Sequence, residues 1–410
     1  MSFSSFYAGL TGLKAHALAL NVIGNNLANV NTVGFKESRT NFADLFTAAG
    51  GFATNGAGVP QQIGSGTSLS AVEGIFSQGA LQPSEVTTDL ALQGNGFFAL
   101  RTPDNQQVYT RAGNFSFNAS GYLVDPNGYN VQGYTQRDAA GHVIATGSIS
   151  DIQIPAGLTA PPQATSYFQE SMNLNAAAPT TPAGSGDFQT GLTAYDSLGA
   201  SHSLTLYFSP NGGGSWNYEV RIDKTELAAP TPGLTTAYQV LQSGTLTFDS
   251  SGKLTTPASN VTINVPAFAN GAAAQSLSWH LYNSSNSPVV TGFAASSGVN
   301  EVLQDGYAMG RLQQLAVDDT GTLSGVFTNG QTLQLAKVAI ASFNAPEGLF
   351  RRGENTFGAS LGSGPAALGE ANTGGRGKVA SKSLELSNVD ITDQFTELIV
   401  TERGYQSNSR

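Results

Sequence analysis

Residues 3–27 read FSSFYAGLTGLKAHALALNVIGNNL, and their spacing decides what this end of the chain can be. Phe6, Leu10, Leu13, Ala17, Leu20 and Leu27 follow at steps of four and three, with one doubled step across Gly24. That is a single apolar helical stripe of about three heptads. A second face carries Asn21, Asn25 and Asn29 at i, i+4 and i+8, where a solvent-facing helix usually carries Glu and Lys. Amides bond to neighbouring protein without the cost of burying a charge, so the row reads equally as a contact face or as an ordinary polar face. The far end repeats the arrangement. Ile391, Phe395, Leu398 and Tyr405 fall on one stripe, with Ile399 beside it and Asn388 or Asp390 as N-cap. Neither stripe is broad enough to hold an isolated helix in water, so each needs the other terminus or a second copy of the chain.

Between the termini the period changes. From about 70 to 370, short β-branched and aromatic runs such as Gly96-Phe97-Phe98-Ala99-Leu100 and Ser203-Leu204-Thr205-Leu206-Tyr207-Phe208 alternate with Gly, Asn, Asp and Ser, which predicts antiparallel strands. Residues 117–123, 248–254 and 317–323 share a frame: an apolar residue, Asn or Asp, two free positions, Gly, one free position, Leu. Gly supplies the left-handed turn position and Asn or Asp bonds the local backbone, so each frame predicts a hairpin. The fold expected is mainly β with α-helical termini, comprising two nested antiparallel β domains, barrel- or sandwich-like, and a terminal-helix coiled-coil region. The expected divisions are an N-terminal helix (1–35), a Gly/Ala/Thr/Ser-rich connector (36–70), a middle β domain in two parts (71–150 and 309–370), an outer β domain inserted in it (151–308), and a C-terminal helix region (371–410). Breaker-rich zones at 176–186 and 228–233 punctuate the insertion.

Composition narrows the function. Only 11% of the 410 residues are charged, against about 25% in average soluble proteins. The net charge of −10 leaves no basic surface to neutralise phosphates, so neither nucleic acid nor an anionic membrane is an expected partner. Zero Cys removes disulfides, thiolate metal sites and Cys nucleophiles, and His16, His142, His202 and His280 are scattered. No catalytic residue, cofactor or metal is expected. Gly358-Ala359-Ser360-Leu361-Gly362 matches a hydrolase elbow, but Gly364 and Pro365 oppose the helix that motif requires. Asp125-Pro126-Asn127-Gly128 opens like a calcium loop, yet position twelve is Gln136 and supplies no carboxylate, so a turn is the better reading. The N-terminus lacks the basic start, apolar run and cleavage site of a secretory signal peptide.

Residues 4–13, SSFYAGLTGL, continuing through residues 25–36, NNLANVNTVGFK, closely resemble the opening of the flagellar rod and hook axial proteins. Further matches follow at residues 90–98 (LALQGNGFF), 110–115 (TRAGNF), 329–331 (NGQ), 343–349 (FNAPEGL), 384–390 (LELSNVD) and 402–409 (ERGYQSNS). The insertion holds residues 195–202, YDSLGASH, which resemble the hook branch of that family. The resemblance implies a helical homopolymer. Terminal helices would line an inner tube, with Phe6, Leu10, Leu13, Leu20, Leu27, Ile391, Phe395, Leu398 and Tyr405 as apolar contacts and Asn21, Asn25 and Asn29 as amide contacts. Outer domains would slide as the tube bends, passing motor torque as a universal joint. It also implies an extracellular flagellar location, passage through the type III flagellar export apparatus without a cleaved signal peptide, and junctions with the distal rod protein, hook cap and hook–filament junction proteins. The family's last helix normally runs several turns beyond the motif at Tyr405, whereas this sequence ends at Arg410. A rigid distal rod protein, a secreted adhesin or surface-layer β protein and an extracellular hydrolase are the alternatives; the long insertion opposes the first, the paired terminal helices the second, and the missing carboxylate or His constellation the third.

Overall fold

A computed structural model describes residues 3–47, 63–180 and 186–409. Residues 48–62 of the expected connector, 181–185 of the breaker-rich zone at 176–186, and Arg410 lie outside that description. The chain divides into two units: one takes 1–158, 313–326 and 332–410, and the other 159–312 and 327–331.

The first unit holds both terminal helices, α1 (Phe3–Ala28) and α2 (Ile391–Ser409). Asp390 is the cap of α2, its carboxylate accepting from the amides of Thr392 (2.7 Å) and Asp393 (3.3 Å). The connector becomes a two-stranded antiparallel ribbon, β1 (Ser38–Thr47) with β2 (Ile63–Gly74). Its Gly- and Ser-rich strand gains order from α1, as where the Thr67 amide donates to the Thr11 hydroxyl (3.2 Å). The β body is an antiparallel sheet in the order Thr322–Phe327, Thr332–Val338, Asn130–Tyr134, Phe97–Arg101, Gln107–Thr110, Thr356–Gly358, Phe350–Gly353. Phe97, Ala99, Tyr109, Ala341 and Phe357 fill one side of it.

The second unit is a β-sandwich. One sheet is a five-stranded meander: Phe188–Tyr195, Ser201–Gly212, Ser215–Asp223, Tyr238–Phe248 and Leu254–Thr256. The other is centred on Tyr167–Asn173, whose alternating burial turns Phe168, Glu170 and Met172 inward. This strand departs from the all-antiparallel expectation, lying parallel to Gln275–Trp279 and Val290–Thr291. Parallel neighbours need a long crossover, and the whole meander provides it. Between the sheets Trp216 and Trp279 pack with Phe208, Tyr218, Leu246 and Leu277 into one buried cluster.

The three repeated frames are turns of one geometry. The side-chain oxygens of Asn118, Asp249 and Asp318 each accept from the amides two and four residues on, at 2.8 to 3.0 Å. Gly121, Gly252 and Gly321 take φ of 81°, 76° and 76° at the position a Cβ would strain.

Candidate self-assembly interface

Within one chain α1 and α2 meet through an unusual stripe. Helix α1 buries Gly12, Ala15, Ala19, Ile23 and Asn26, at steps of three and four, while α2 buries Gln394 and Thr401. A Cβ on Gly12 would stand 2.8 Å from the Asn408 amide, and one on Gly404 2.8 Å from the His16 ring, so the absence of side chains there sets how closely the helices approach. Apart from Ile23, small and polar groups fill the seam, and several of the largest apolar ones are left outside. Phe6 is 70% exposed, Phe395 48% and Ile399 49%. Tyr7, Leu10, Leu18, Ile391 and Val400 are also exposed, while Leu13, Leu20, Leu27, Leu398 and Tyr405 are half-buried. Such an exposed apolar face has the chemistry of an interface.

The helices are pinned at their root by amides. The Asn26 side chain donates to the Ser38 carbonyl (2.8 Å) and to Gln394 Oε1 (3.0 Å), and accepts from the Ser38 amide (3.0 Å). Gln394 Nε2 in turn donates to Glu37 Oε1 (2.9 Å). Thus the bonding amide is Asn26, beside the predicted row rather than in it. Asn21 is exposed; Asn29 donates to the Asn25 carbonyl (2.9 Å). Asn25 and Asn29 also line a cleft of about 280 Å³ closed by Thr32, Phe35, Arg351 and Asn355.

Below this root lies a buried charge cluster that no spacing in the sequence announced. Lys36 Nζ donates to Glu385 Oε1 (2.6 Å) and the Ser77 carbonyl (2.6 Å), both charged side chains being fully buried. Arg111 donates to Glu385 Oε2 (3.3 Å) and the Gly94 carbonyl (2.8 Å), and the Gly79 amide adds a bond to Glu385 (2.9 Å). Burial lowers the pKa of Lys36 and Arg111, and Glu385 opposes that shift in both. One carboxylate therefore ties the end of α1, the β body and the approach to α2 together. Its members sit in three of the family-like segments noted above, at GFK, TRAG and LELS, and the signal available was an isolated charge inside each motif.

The other motifs resolve into turns. Ser360 Oγ donates to the Gly348 carbonyl (2.6 Å) and accepts from the Gly362 amide (2.9 Å), with no helix behind it. Asp125 accepts from the amides of Asn127 and Tyr129 (3.0 and 2.8 Å). Among the described residues no group of three His, Asp or Glu is placed to hold a metal ion.

Four family models match along the chain: flagella basal body rod protein over 6–36, flagellar hook protein FlgE/F/G D1 domain over 91–167, flagellar basal body protein FlaE D2 domain over 167–307, and flagellar basal body rod FlgEFG protein C-terminal over 380–410. The flagellar hook protein FlgE of Treponema pallidum is 34% identical, covering 99% of this chain and 96% of its own. That of Salmonella typhimurium is 32% identical with the same coverage. The crystal structure of Helicobacter pylori flagellar hook protein FlgE2 shares the fold, with a TM-score of 0.51 and 18% identity, over 74% of this chain and 100% of that one. The chain belongs to the flagellar hook protein family and is a structural subunit of the flagellum, not an enzyme.

Proposed function

We propose that this chain polymerises into the flexible helical tube of the hook and passes torque from rod to filament as a universal joint. The observation that carries the reading is the inverted helix pair: a seam of mostly small and polar residues, with Ile23 its one large apolar member among the described residues, and with Phe6, Leu10, Ile391, Phe395 and Ile399 outside. Covering such side chains with other copies is worth about 1.5 to 3 kcal/mol each, and this is where coiled-coil packing between helices of different subunits belongs. A heterologous contact of this kind does not close on itself and so propagates as a filament. The β body then forms a middle layer and the sandwich an outer one, whose weakly charged faces form wet contacts that break and reform as the tube bends. The same reading assigns the distal rod protein, hook cap and hook–filament junction proteins as end partners. It places the tube outside the cell, reached through the flagellar export apparatus without a cleaved signal peptide.

Electron microscopy of the purified full chain tests this. Curved tubes are expected from the wild type and none from a Leu10→Asp/Phe395→Asp variant whose β units remain folded. Tubes from that variant, or straight rods from the wild type, would overturn the reading.

A further inference from the structure

The cleft beside the root of α1 has a feature that the apolar faces do not explain. Arg351 is held in place from three sides: its guanidinium lies 4.9 Å from the Phe35 ring centre and 5.7 Å from that of Phe357, and it donates to the Lys36 carbonyl. Among the described residues it has no carboxylate within ion-pair distance. Around it stand the side-chain amides of Asn25, Asn29 and Asn355, each with two N–H groups, of which Asn29 turns one to the Asn25 carbonyl and Asn355 one to the Val33 carbonyl; Thr32 donates its hydroxyl to Asn29 Oδ1 (3.0 Å). The cleft's own carboxylate, Glu354, is turned to Tyr129, whose phenol donates to it (2.6 Å). Glu354 and Asn355 take positive φ, 51° and 57°, as the two central residues of the hairpin turn that joins Gly353 to Thr356, and this turn places Asn355 at the cleft. A fixed guanidinium framed by amides is a receptor for a carboxylate.

The same chain displays what such a receptor would take. On the side of α2 away from Phe395 and Ile399, the exposed Asp393 and Glu397 stand one turn apart. They lie near Glu37, on which both act and which Arg39 opposes, and in a chain with 11% charged residues that concentration of carboxylates stands out. Burial raises the Glu37 pKa, with smaller contributions from the neighbouring charges of Glu397 and Asp393.

We propose that the Asn25–Asn29–Arg351 cleft of one copy receives the Asp393 and Glu397 carboxylates on α2 of a neighbouring copy, setting the register of the helices that the apolar faces alone leave free to slide. The inference rests on the polymer reading and names its polar contact. Apolar stripes reward any alignment that covers them, whereas a charge seated in a fitted cleft rewards one, and mismatched charge penalises the rest.

Charge reversal in the full chain tests it, read as the critical concentration for tube formation by sedimentation, with monomer thermal midpoints alongside. Arg351→Glu and Asp393→Arg/Glu397→Arg should each raise the critical concentration by about tenfold or more. The three substitutions together should bring it back close to the wild-type value. Arg351→Gln, which keeps a donor and loses only the charge, should give an intermediate rise and guards against misfolding of the reversed variant. Tubes that form at wild-type concentrations in either reversed chain, or a triple variant no better than the worse parent, would overturn the contact while leaving the polymer reading intact. A wild-type chain that forms no tubes would overturn both.

Discussion

The β-sandwich and the terminal helix pair use the same amino acids in opposite ways. In the sandwich Trp216, Trp279, Phe208 and Leu246 lie between two sheets, essentially out of contact with water. In the helix pair the seam holds Gly12, Ala15, Ala19, Ile23, Asn26, Gln394 and Thr401, while Phe6, Leu10, Ile391, Phe395 and Ile399 face outward. One region completes its own core; the other is a half-finished core whose completion, on the proposed reading, comes from other copies. The difference teaches that apolar periodicity reports a need for burial and is silent about which molecule supplies it.

The comparison can be broken most forcefully at the charge cluster below the helices. Glu385→Gln leaves Lys36 and Arg111 buried without their carboxylate, and a loss of about 3 to 5 kcal/mol in unfolding free energy is expected by chemical denaturation of the monomer. A loss under about 1 kcal/mol would mean the helices are not anchored there. In the sandwich, Trp279→Ala removes a fully buried side chain and should cost about 3 to 5 kcal/mol of that unit's stability, with little effect on helix-driven assembly.

Glu170 gives a pH test confined to the sandwich. Its carboxyl is fully buried between Phe168 and Met172, neither oxygen has a hydrogen-bond partner, and burial pushes its pKa up from 4.5 to about 7. The folded state thus holds this proton more tightly than the unfolded chain. The sandwich should keep its full stability below about pH 4.5, lose it as pH rises toward 7, and level off above, a span of up to about 3 kcal/mol. Denaturation curves of Glu170→Gln should show that slope flattened; an unchanged slope would assign it to other groups. The smallest effect on the monomer belongs to the helix faces. Phe395→Ala and Ile399→Ala should each change monomer stability by no more than about 0.5 kcal/mol while raising the concentration needed for tubes. A large monomer effect would show that these side chains already have a partner within the chain.

Much of the architecture was legible in the sequence because it rests on local rules. The switch from a period of three to four residues to alternation separated helices from strands, and the Asn/Asp-x-x-Gly frames became hairpin turns of common geometry. The helix-pair seam was not legible for a physical reason: Gly, Ala and Asn have too little apolar area to mark a stripe, so the eye is drawn to Phe6, Leu10 and Leu13 on the faces beside it. Asn26 was hidden by the more regular Asn21, Asn25 and Asn29. The Lys36–Arg111–Glu385 cluster joins residues up to 349 positions apart, and pairing at that distance leaves no periodic trace. The ribbon at β1 and β2 was obscured because its order comes from packing on α1 rather than from β propensity.

Hydrogen exchange along α1 and α2, compared between monomer and polymer, tests the central claim most directly. Amides near Asn26, Lys36 and Glu385 should be protected in both states, since the amide and charge networks hold them within one chain. Those of residues 8–20 and 396–407 should slow by about a hundredfold or more only in tubes. Equal exchange of these segments in monomer and polymer would contradict the account, because the exposed faces of the helix pair would then have no role in holding copies together.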